Sequence, residues 1–175
     1  MGRSQVWMQS DVPPDFAKKM EAAMAAKKNL KMAKTYSESG WCFVEATMST
    51  LLKQSGNQLD LHLREGANRY DRLKVICQAE CAAPFTPQAM EDAMKTKFFT
   101  GQGDAKVVLD MYKGFFDTAR LEVEELNFRG LFWDDSVCER FAREVLPQFP
   151  KCSKLIFCDN QMSERCYRSS RNAPS

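Results

Sequence analysis

The chain of 175 residues is long enough for one ordinary domain, or for a modest domain with an appendage. Its hydrophobic fraction of 44% and charged fraction of 27% are typical of a globular protein in water, and its net charge of +2 favours neither nucleic acid nor acidic substrates as ligands. No apolar run approaches the roughly 20 residues that span a bilayer, and the N-terminal residues lack the apolar core of a signal peptide.

Seven cysteines are spread irregularly along the chain. Because their number is odd and several have apolar neighbours, we interpret them as reduced thiols of a cytoplasmic protein. The most closely spaced candidate metal ligands are Cys77 and Cys81, and His62 is the only histidine, so the usual spacing of zinc ligands is missing. We therefore predict no metal site and no bound cofactor.

The N-terminal part predicts a short strand followed by a basic helix. The apolar residues 5–8 favour a strand, two prolines end it, and Asp15 can cap a helix over residues 15–34. Apolar residues line one face of this helix and lysines cover the rest, which is typical of a solvated surface helix. The pattern leaves open binding to an acidic membrane surface, a nucleic acid or a calmodulin-like partner.

The middle of the chain predicts one helix and two short strands. Apolar residues at helical spacing indicate a helix over residues 41–54. Leucines alternate with polar residues over 59–63, which predicts a half-buried strand with His62 on its polar side. Residues 69–78 fit a second strand, with a helix as the alternative.

Two further helices are predicted as a helical hairpin. Thr86 provides an N-cap hydroxyl and Pro87 the first helical position of a helix that extends to about Lys97. After a glycine-containing loop, Asp104 can cap a helix over residues 104–117. Its apolar stripe is the strongest amphipathic pattern in the chain.

The C-terminal part contains an internal repeat at an offset of 29 residues. Its matching positions are strand residues followed by a turn residue: Leu126 and Phe128 with Leu155 and Phe157, then Leu131 with Asn160. Between the copies, apolar residues spaced four apart from Trp133 to Val145 predict a helix that returns antiparallel to the strand, capped by Asp134 or Asp135. An ordinary βαβ unit would produce the same strand-helix-strand order.

Residues 121–165 resemble about one and a half units of a leucine-rich repeat of the ribonuclease-inhibitor-like class, in which each unit is a strand plus a full helix. The resemblance implies that Asn160 satisfies backbone groups between stacked units, whereas Leu131 stands where the family usually has asparagine. It also implies binding of another protein. The residues that we expect to contact this partner from the strands are Asn127 and Ile156.

Residues 36–45, YSESGWCFVE, resemble a stretch of plant-type Toll/interleukin-1 receptor (TIR) domains. A similar Gly-Trp-Cys-x-x-Glu motif occurs in uncharacterised protist proteins that carry leucine-rich repeats. In enzymatic TIR domains the glutamate promotes cleavage of NAD at the nicotinamide–ribose bond, and Glu45 occupies its position here. The resemblance implies binding roles for Tyr36, Ser39 and Trp41.

A carboxylate on the first turn of a helix can stabilise a developing oxocarbenium ion, as carboxylates do in glycoside cleavage. The helix dipole alone also favours glutamate at such a position. The motif at Glu45 therefore fits two alternatives: a catalytic role with NAD as substrate, or a purely structural role.

We predict an α/β or α+β protein, mostly helical with a few short strands, that includes a leucine-rich-repeat-like strand-helix-strand unit. The expected parts are an N-terminal strand and linker, a mostly helical domain, the repeat-like unit and a flexible tail: residues 1–14, 15–120, 121–165 and 166–175. The expected function is non-enzymatic protein–protein interaction. The alternatives are NAD cleavage by a TIR-like remnant through Glu45, and binding of the basic helix to a membrane surface or nucleic acid.

Overall fold

The computed structural model describes most of the second half of the chain and shorter stretches of the first: residues 6–8, 15, 18, 19, 22, 36–52, 58–60, 82–101 and 103–163. Four helices have their bounds in this part of the chain: α1 (Gly40–Leu52), α2 (Pro87–Met94), α3 (Asp104–Glu122) and α4 (Asp135–Arg140). The strands there are β1 (Val6–Met8), β2 (Gln58–Asp60), β3 (Glu125–Asn127) and β4 (Lys154–Ile156).

The described strands form two separate parallel pairs. β1 pairs with β2, and β3 pairs with β4, with Leu126 opposite Leu155. Parallel strands need a connection that returns the chain to the same end of the sheet. Between β3 and β4 that connection contains α4 and the turns that follow it. The predicted class, mostly helical α/β with a few short strands, is confirmed for the described residues.

Several predictions for the first half lie partly or wholly outside the described residues. The strand predicted over residues 5–8 is confirmed as β1, and β2 covers the start of the strand predicted over 59–63. Four positions of the predicted basic helix are helical: Asp15, Lys18, Lys19 and Ala22. The remainder of that helix, His62, and residues 69–78 and 166–175 lie outside the described part.

α1 begins where the chain passes over an aromatic ring. The Phe98 N–H donates to the Glu38 carbonyl at 2.8 Å, and the Gly40 N–H donates to the Phe98 carbonyl at 2.9 Å. A Cβ atom at position 40 would overlap the ring of Phe99, so only glycine permits this close approach. The helix then buries Val44 completely.

The predicted start of α2 is confirmed, and its predicted end is wrong. The Thr86 hydroxyl accepts from the Ala89 N–H at 3.2 Å, and Pro87 is the first helical residue. The helix ends at Met94, earlier than expected, because the next residues close tighter turns. The Lys97 N–H, for example, donates to the Met94 carbonyl three residues back, at 3.0 Å.

The predicted start of α3 is confirmed, but its cap residue and its end differ from the prediction. Gly103, not Asp104, is the cap residue, and its φ of 151° is a conformation that glycine adopts readily. The Asp104 carboxylate instead accepts from the Gly101 N–H at 3.0 Å. At the other end the helix continues to Glu122 because Ala119 extends its buried face.

A buried tyrosine links α3 to the segment before α2. Tyr112 is 1% exposed, and its hydroxyl donates to the Phe85 carbonyl at 2.6 Å and accepts from the Phe85 N–H at 3.2 Å. Burial raises the pKa of this phenol above its ordinary value, against the opposing effects of the Phe85 backbone and the charge of Arg140.

Replacing Tyr112 by phenylalanine is expected to weaken the dependence of stability on alkaline pH. Because the folded-state pKa is raised, the unfolded chain loses the phenol proton first, and stability is lost as the pH rises above about 10. At neutral pH the variant should lose about 1 kcal/mol through its missing hydrogen bonds. Urea unfolding from about pH 8 to about pH 11 measures both effects. If the free energy of unfolding changed equally with pH in the wild type and in the variant, the result would contradict this account.

The return from β3 to β4 is not the continuous α-helix that the sequence predicted. α4 is capped by Asp134, whose carboxylate accepts from the Val137 N–H at 2.9 Å, in agreement with prediction. A π-helical turn (Phe141–Val145) and a 3-10 turn (Leu146–Gln148) follow. In a regular α-helix, a residue four positions further along the chain lies one full turn plus about 40° around the helix axis. Apolar residues spaced four apart would therefore drift off the buried face. The π-helical turn offsets this drift and keeps both of its end residues at 0% exposure.

One apolar core joins the helical part and the repeat-like part. It includes residues of α1, α2, α3, β3 and the π-helical turn, among them Val44, Met90, Phe116, Leu126 and Phe141. The boundary predicted between residues 120 and 121 therefore falls within a shared core. None of the described helices is long and apolar enough to cross a membrane.

Candidate interaction surface and carboxylate groove

β3 and β4 place matching residues of the two copies side by side. Leu126 lies opposite Leu155, and Asn127 lies opposite Ile156. Leu126 is completely buried, whereas the side chains of Asn127 and Ile156 stay half-buried. Because successive side chains of a strand point to opposite faces, the outer face displays Asn127 and Ile156 together.

Two ion pairs lie beside these residues. Lys154 Nζ is 2.9 Å from Glu125 Oε2 within the strand pair, and Arg129 Nε is 2.7 Å from Asp159 Oδ2 in the turns that follow. All four side chains are exposed, so the pairs add little to the free energy of unfolding. They do place opposite charges on both sides of an otherwise uncharged centre. We call the residues Glu125, Asn127, Lys154 and Ile156 the strand surface.

The side chain of Asn160 joins the turns that follow the two strands. Its Oδ1 accepts from the Leu131 N–H at 3.0 Å and from the Trp133 N–H at 3.1 Å. Its Nδ2 donates to the Phe128 carbonyl at 2.7 Å and to the Phe157 carbonyl at 2.9 Å. A side-chain amide has two donor hydrogens and two acceptor lone pairs, so all of its hydrogen-bonding capacity is used.

The turns that follow β3 and β4 have the same backbone conformation at matching positions. Gly130 has a φ of 65° and Asp159 a φ of 62°, and these residues occupy the same position in the two copies. Glycine and aspartate are among the residues that tolerate this left-handed conformation. Leu131, the counterpart of Asn160, is 1% exposed and contributes its backbone N–H to the bridge.

An aromatic cluster packs beneath the turns. The ring centroid of Phe128 lies 4.7 Å from that of Trp133, 4.8 Å from Phe141 and 5.7 Å from Phe157. The other three rings are 5.7 to 5.9 Å from one another. These separations are within the range of favourable aromatic pairs, so the cluster fixes both strands to the return helix.

Residues 36–45 form a short 3-10 turn (Tyr36–Glu38) and the first turns of α1. Ser39 makes a parallel bridge with Phe98, and its carbonyl accepts from the Phe43 N–H at 2.9 Å. The predicted binding residue Ser39 therefore marks the junction between the incoming chain and the helix.

Trp41 and Glu45 lie one turn apart on an exposed face of α1. The Trp41 indole N–H donates to Asp104 Oδ2 at 3.4 Å, which connects the start of α1 to the start of α3. Tyr36 is half-buried, and burial raises the pKa of its phenol. The negative charge of Glu45 raises that pKa further. The Tyr36 hydroxyl is thus protonated at neutral pH and suited to donate a hydrogen bond.

An open groove of about 370 Å³ lies between α1 and α3. The described residues that line it are apolar apart from one carboxylate and one hydroxyl: Trp41, Glu45, Met48, Ser49, Leu52, Met111 and Phe115. Among the described residues, Glu45 has no hydrogen-bond or ion-pair partner. The structure thus brings the predicted residues Trp41 and Glu45 together, and it leaves Tyr36 and Ser39 out of the groove lining.

No cluster of three or more His, Cys, Asp or Glu side chains suited to a metal ion occurs among the described residues. In that part of the chain Cys42, Cys152 and Cys158 are free thiols, and Cys138 is buried.

Some residues of both sites were not anticipated from the sequence. Met111 and Phe115 belong to the apolar stripe predicted for α3, but the sequence did not indicate that both residues line a groove or that Met111 is 45% exposed. The pairing of Glu125 with Lys154 was also missed. The sequence did contain a signal for this pair. The offset of 29 residues aligns Glu125 with Lys154, and opposite charges at matching positions of two paired strands can form an ion pair.

Comparisons with protein-family models, with curated proteins and with solved structures found no match to this chain. The function is therefore inferred from the geometry of the strand surface and of the groove.

Proposed function

We propose that the chain is a non-enzymatic protein-binding scaffold whose repeat-like unit, residues 121–165, presents the strand surface to a partner protein. The four hydrogen bonds of Asn160 carry this proposal, because three of them join the two copies. An amide that bridges successive turns is what the resemblance to leucine-rich repeats implies. Stacked repeats of that kind hold exposed strand residues in a fixed array that partners bind.

The chemistry of the strand surface suits a protein partner. Ile156 supplies an apolar centre beside Asn127, and charged residues flank them, an arrangement common in protein interfaces. Two strands of three residues offer on the order of 100 Å². A stable complex buries about 800 Å² per partner, so adjacent turns must contribute if binding is tight.

A pull-down with the purified chain tests the scaffold. The double variant Asn127→Arg/Ile156→Glu should reduce capture of a specific partner at least about tenfold, because it places charge at the centre of the interface. The matched control is Ala142→Arg/Arg143→Glu, which alters exposed residues of the return helix and should retain the partner. Thermal unfolding confirms that both variants fold. Unchanged capture by the strand variant, or equal loss in both variants, would reject the strand surface.

The groove supports a second candidate function, TIR-like cleavage of NAD. The observation that favours it is the carboxylate of Glu45, which lines the groove and has no described partner. Such a carboxylate is available to stabilise positive charge on a ribose ring, and Trp41 offers an exposed ring for stacking. The hydroxyl of Tyr36, whose pKa the charge of Glu45 raises, is a protonated hydrogen-bond donor near this carboxylate.

Nicotinamide release from NAD, followed by chromatography, tests this second function. Glu45→Gln keeps the size of the side chain and removes its charge, and should lower the rate at least about a hundredfold if Glu45 is catalytic. Glu122→Gln, an exposed carboxylate at the end of α3, should leave the rate unchanged. If a high concentration of the wild-type chain releases no more nicotinamide than buffer does, NAD cleavage is rejected.

A further inference from the structure

We propose that the groove between α1 and α3 binds an amphipathic helix of a partner protein that places a lysine or arginine against Glu45. This site uses other elements than the strand surface, so it holds or fails independently of the scaffold function proposed above.

The length of the groove fits a short helix. Its α1 side extends from Trp41 to Leu52, eleven residues along a helix, which is about 16 Å or three turns. A partner helix with apolar residues at i, i+4, i+7 and i+11 would distribute its four anchors along these three turns of α1.

Three apolar residues of the lining are exposed. Trp41 and Leu52 are each 42% exposed, and Met111 on α3 is 45% exposed. Isolated apolar residues on a surface need no explanation, but these lie along one groove. Methionines adapt their shape to different apolar partners, and Met48 and Met111 line opposite sides of this groove.

The charge of the groove selects the partner. Among the described residues of the lining Glu45 is the only ionisable side chain, and no described residue neutralises it. An apolar ligand that covered this carboxylate would remove its water and leave the charge unpaired, which is costly. A ligand with a cation at that position forms a pair instead, so the groove disfavours neutral and acidic helices.

The walls of the groove favour a helix over an extended peptide. Both walls are helices, whose central N–H and C=O groups already bond within each helix. An extended peptide gains affinity largely by adding backbone hydrogen bonds at a free strand edge, and helical walls offer none. A helical partner satisfies its own backbone and needs only side-chain contacts.

The test uses fluorescence anisotropy with labelled model peptides of about 18 residues, long enough to form a helix. One peptide carries leucines at the four anchor spacings, with lysines beside them. The second has glutamates in place of the lysines, and the third has the composition of the first in scrambled order. We expect the lysine peptide to bind the wild-type chain more tightly than either of the others.

Variants of the chain locate the binding. Glu45→Gln should weaken binding of the lysine peptide roughly fivefold, and Met111→Asp should weaken it beyond detection. Glu45→Lys should reverse the preference towards the glutamate peptide. The matched control Leu121→Asp changes another exposed apolar residue of α3 that lies outside the groove lining, and it should bind like the wild type.

Three results would overturn the proposal. They are equal binding of the lysine and glutamate peptides, unchanged binding by Met111→Asp, and equal weakening by Leu121→Asp. Sedimentation of the chain alone supplies a fourth. A dimer that Met111→Asp dissociates would assign the groove to a second copy of the chain instead of a partner helix.

Discussion

Replacing Asn160 by alanine is expected to lower the free energy of unfolding by about 3 kcal/mol, as four hydrogen bonds of about 1 kcal/mol each are lost with partial compensation by water. The Leu131 N–H and the Phe128 carbonyl would lose a partner inside a partly buried turn. Urea denaturation monitored by circular dichroism measures the change, and the midpoint should fall without a change in slope.

A second asparagine in the same unit provides the control for Asn160. Asn127 accepts a single hydrogen bond, from the Arg129 N–H at 3.2 Å, and Asn127→Ala should cost less than about 1 kcal/mol. Asn160→Asp keeps the shape but replaces two donor hydrogens by an oxygen facing two carbonyl groups, so it should destabilise as strongly as alanine. If Asn127→Ala and Asn160→Ala lowered the free energy of unfolding by similar amounts, the four hydrogen bonds of Asn160 would stabilise the fold no more than the single hydrogen bond of Asn127 does.

Replacing Phe128 by alanine is expected to cost about 4 kcal/mol, a large part of the stability of a small domain. Phe128 is 0% exposed and contacts the other three rings of the aromatic cluster, so its removal leaves a cavity that the neighbours fill only in part. The same denaturation experiment measures the effect, and the near-ultraviolet signal of Trp133 should lose intensity as the packing around it loosens.

Phe132 distinguishes a core effect from the general loss of an aromatic ring. It is close to Phe128 in sequence but 44% exposed, so Phe132→Ala should cost less than about 1 kcal/mol. Phe128→Leu keeps most of the apolar volume and should cost about half as much as Phe128→Ala. If the two alanine variants unfold at the same urea concentration, the cluster does not hold the unit together.

The strand-helix-strand order of residues 121–165 was predictable because its determinants are local in the sequence. The apolar positions of β3 and β4, Asp134 as a cap, and the alignment of Leu131 with Asn160 all follow from a count along the sequence. The π-helical turn was not predictable from local propensity. It becomes reasonable only once Phe141 and Val145 are known to face the same buried layer.

The groove could not be predicted, since it depends on two helices that are distant in sequence. Trp41 and Asp104 are 63 residues apart, and nothing in either segment specifies that they meet. Helical periodicity identified the stripe that contains Val108 and Met111. It could not tell that Val108 would be completely buried while Met111 stayed 45% exposed, because burial depends on which neighbour packs there.

The π-helical turn also makes the return helix tolerant of a change in length. A π-helical turn contains one residue more than the α-helical turn that it replaces. Loss of Ala142 or Arg143, both exposed, would allow the turn to close as an α-helix while the flanking residues keep their places. Loss of one residue between Asp104 and Tyr112 in α3 would rotate every later side chain by about 100° and move Tyr112 out of its site. We therefore expect this turn to tolerate the deletion of one residue, whereas a deletion inside the regular part of a described α-helix would displace its buried side chains.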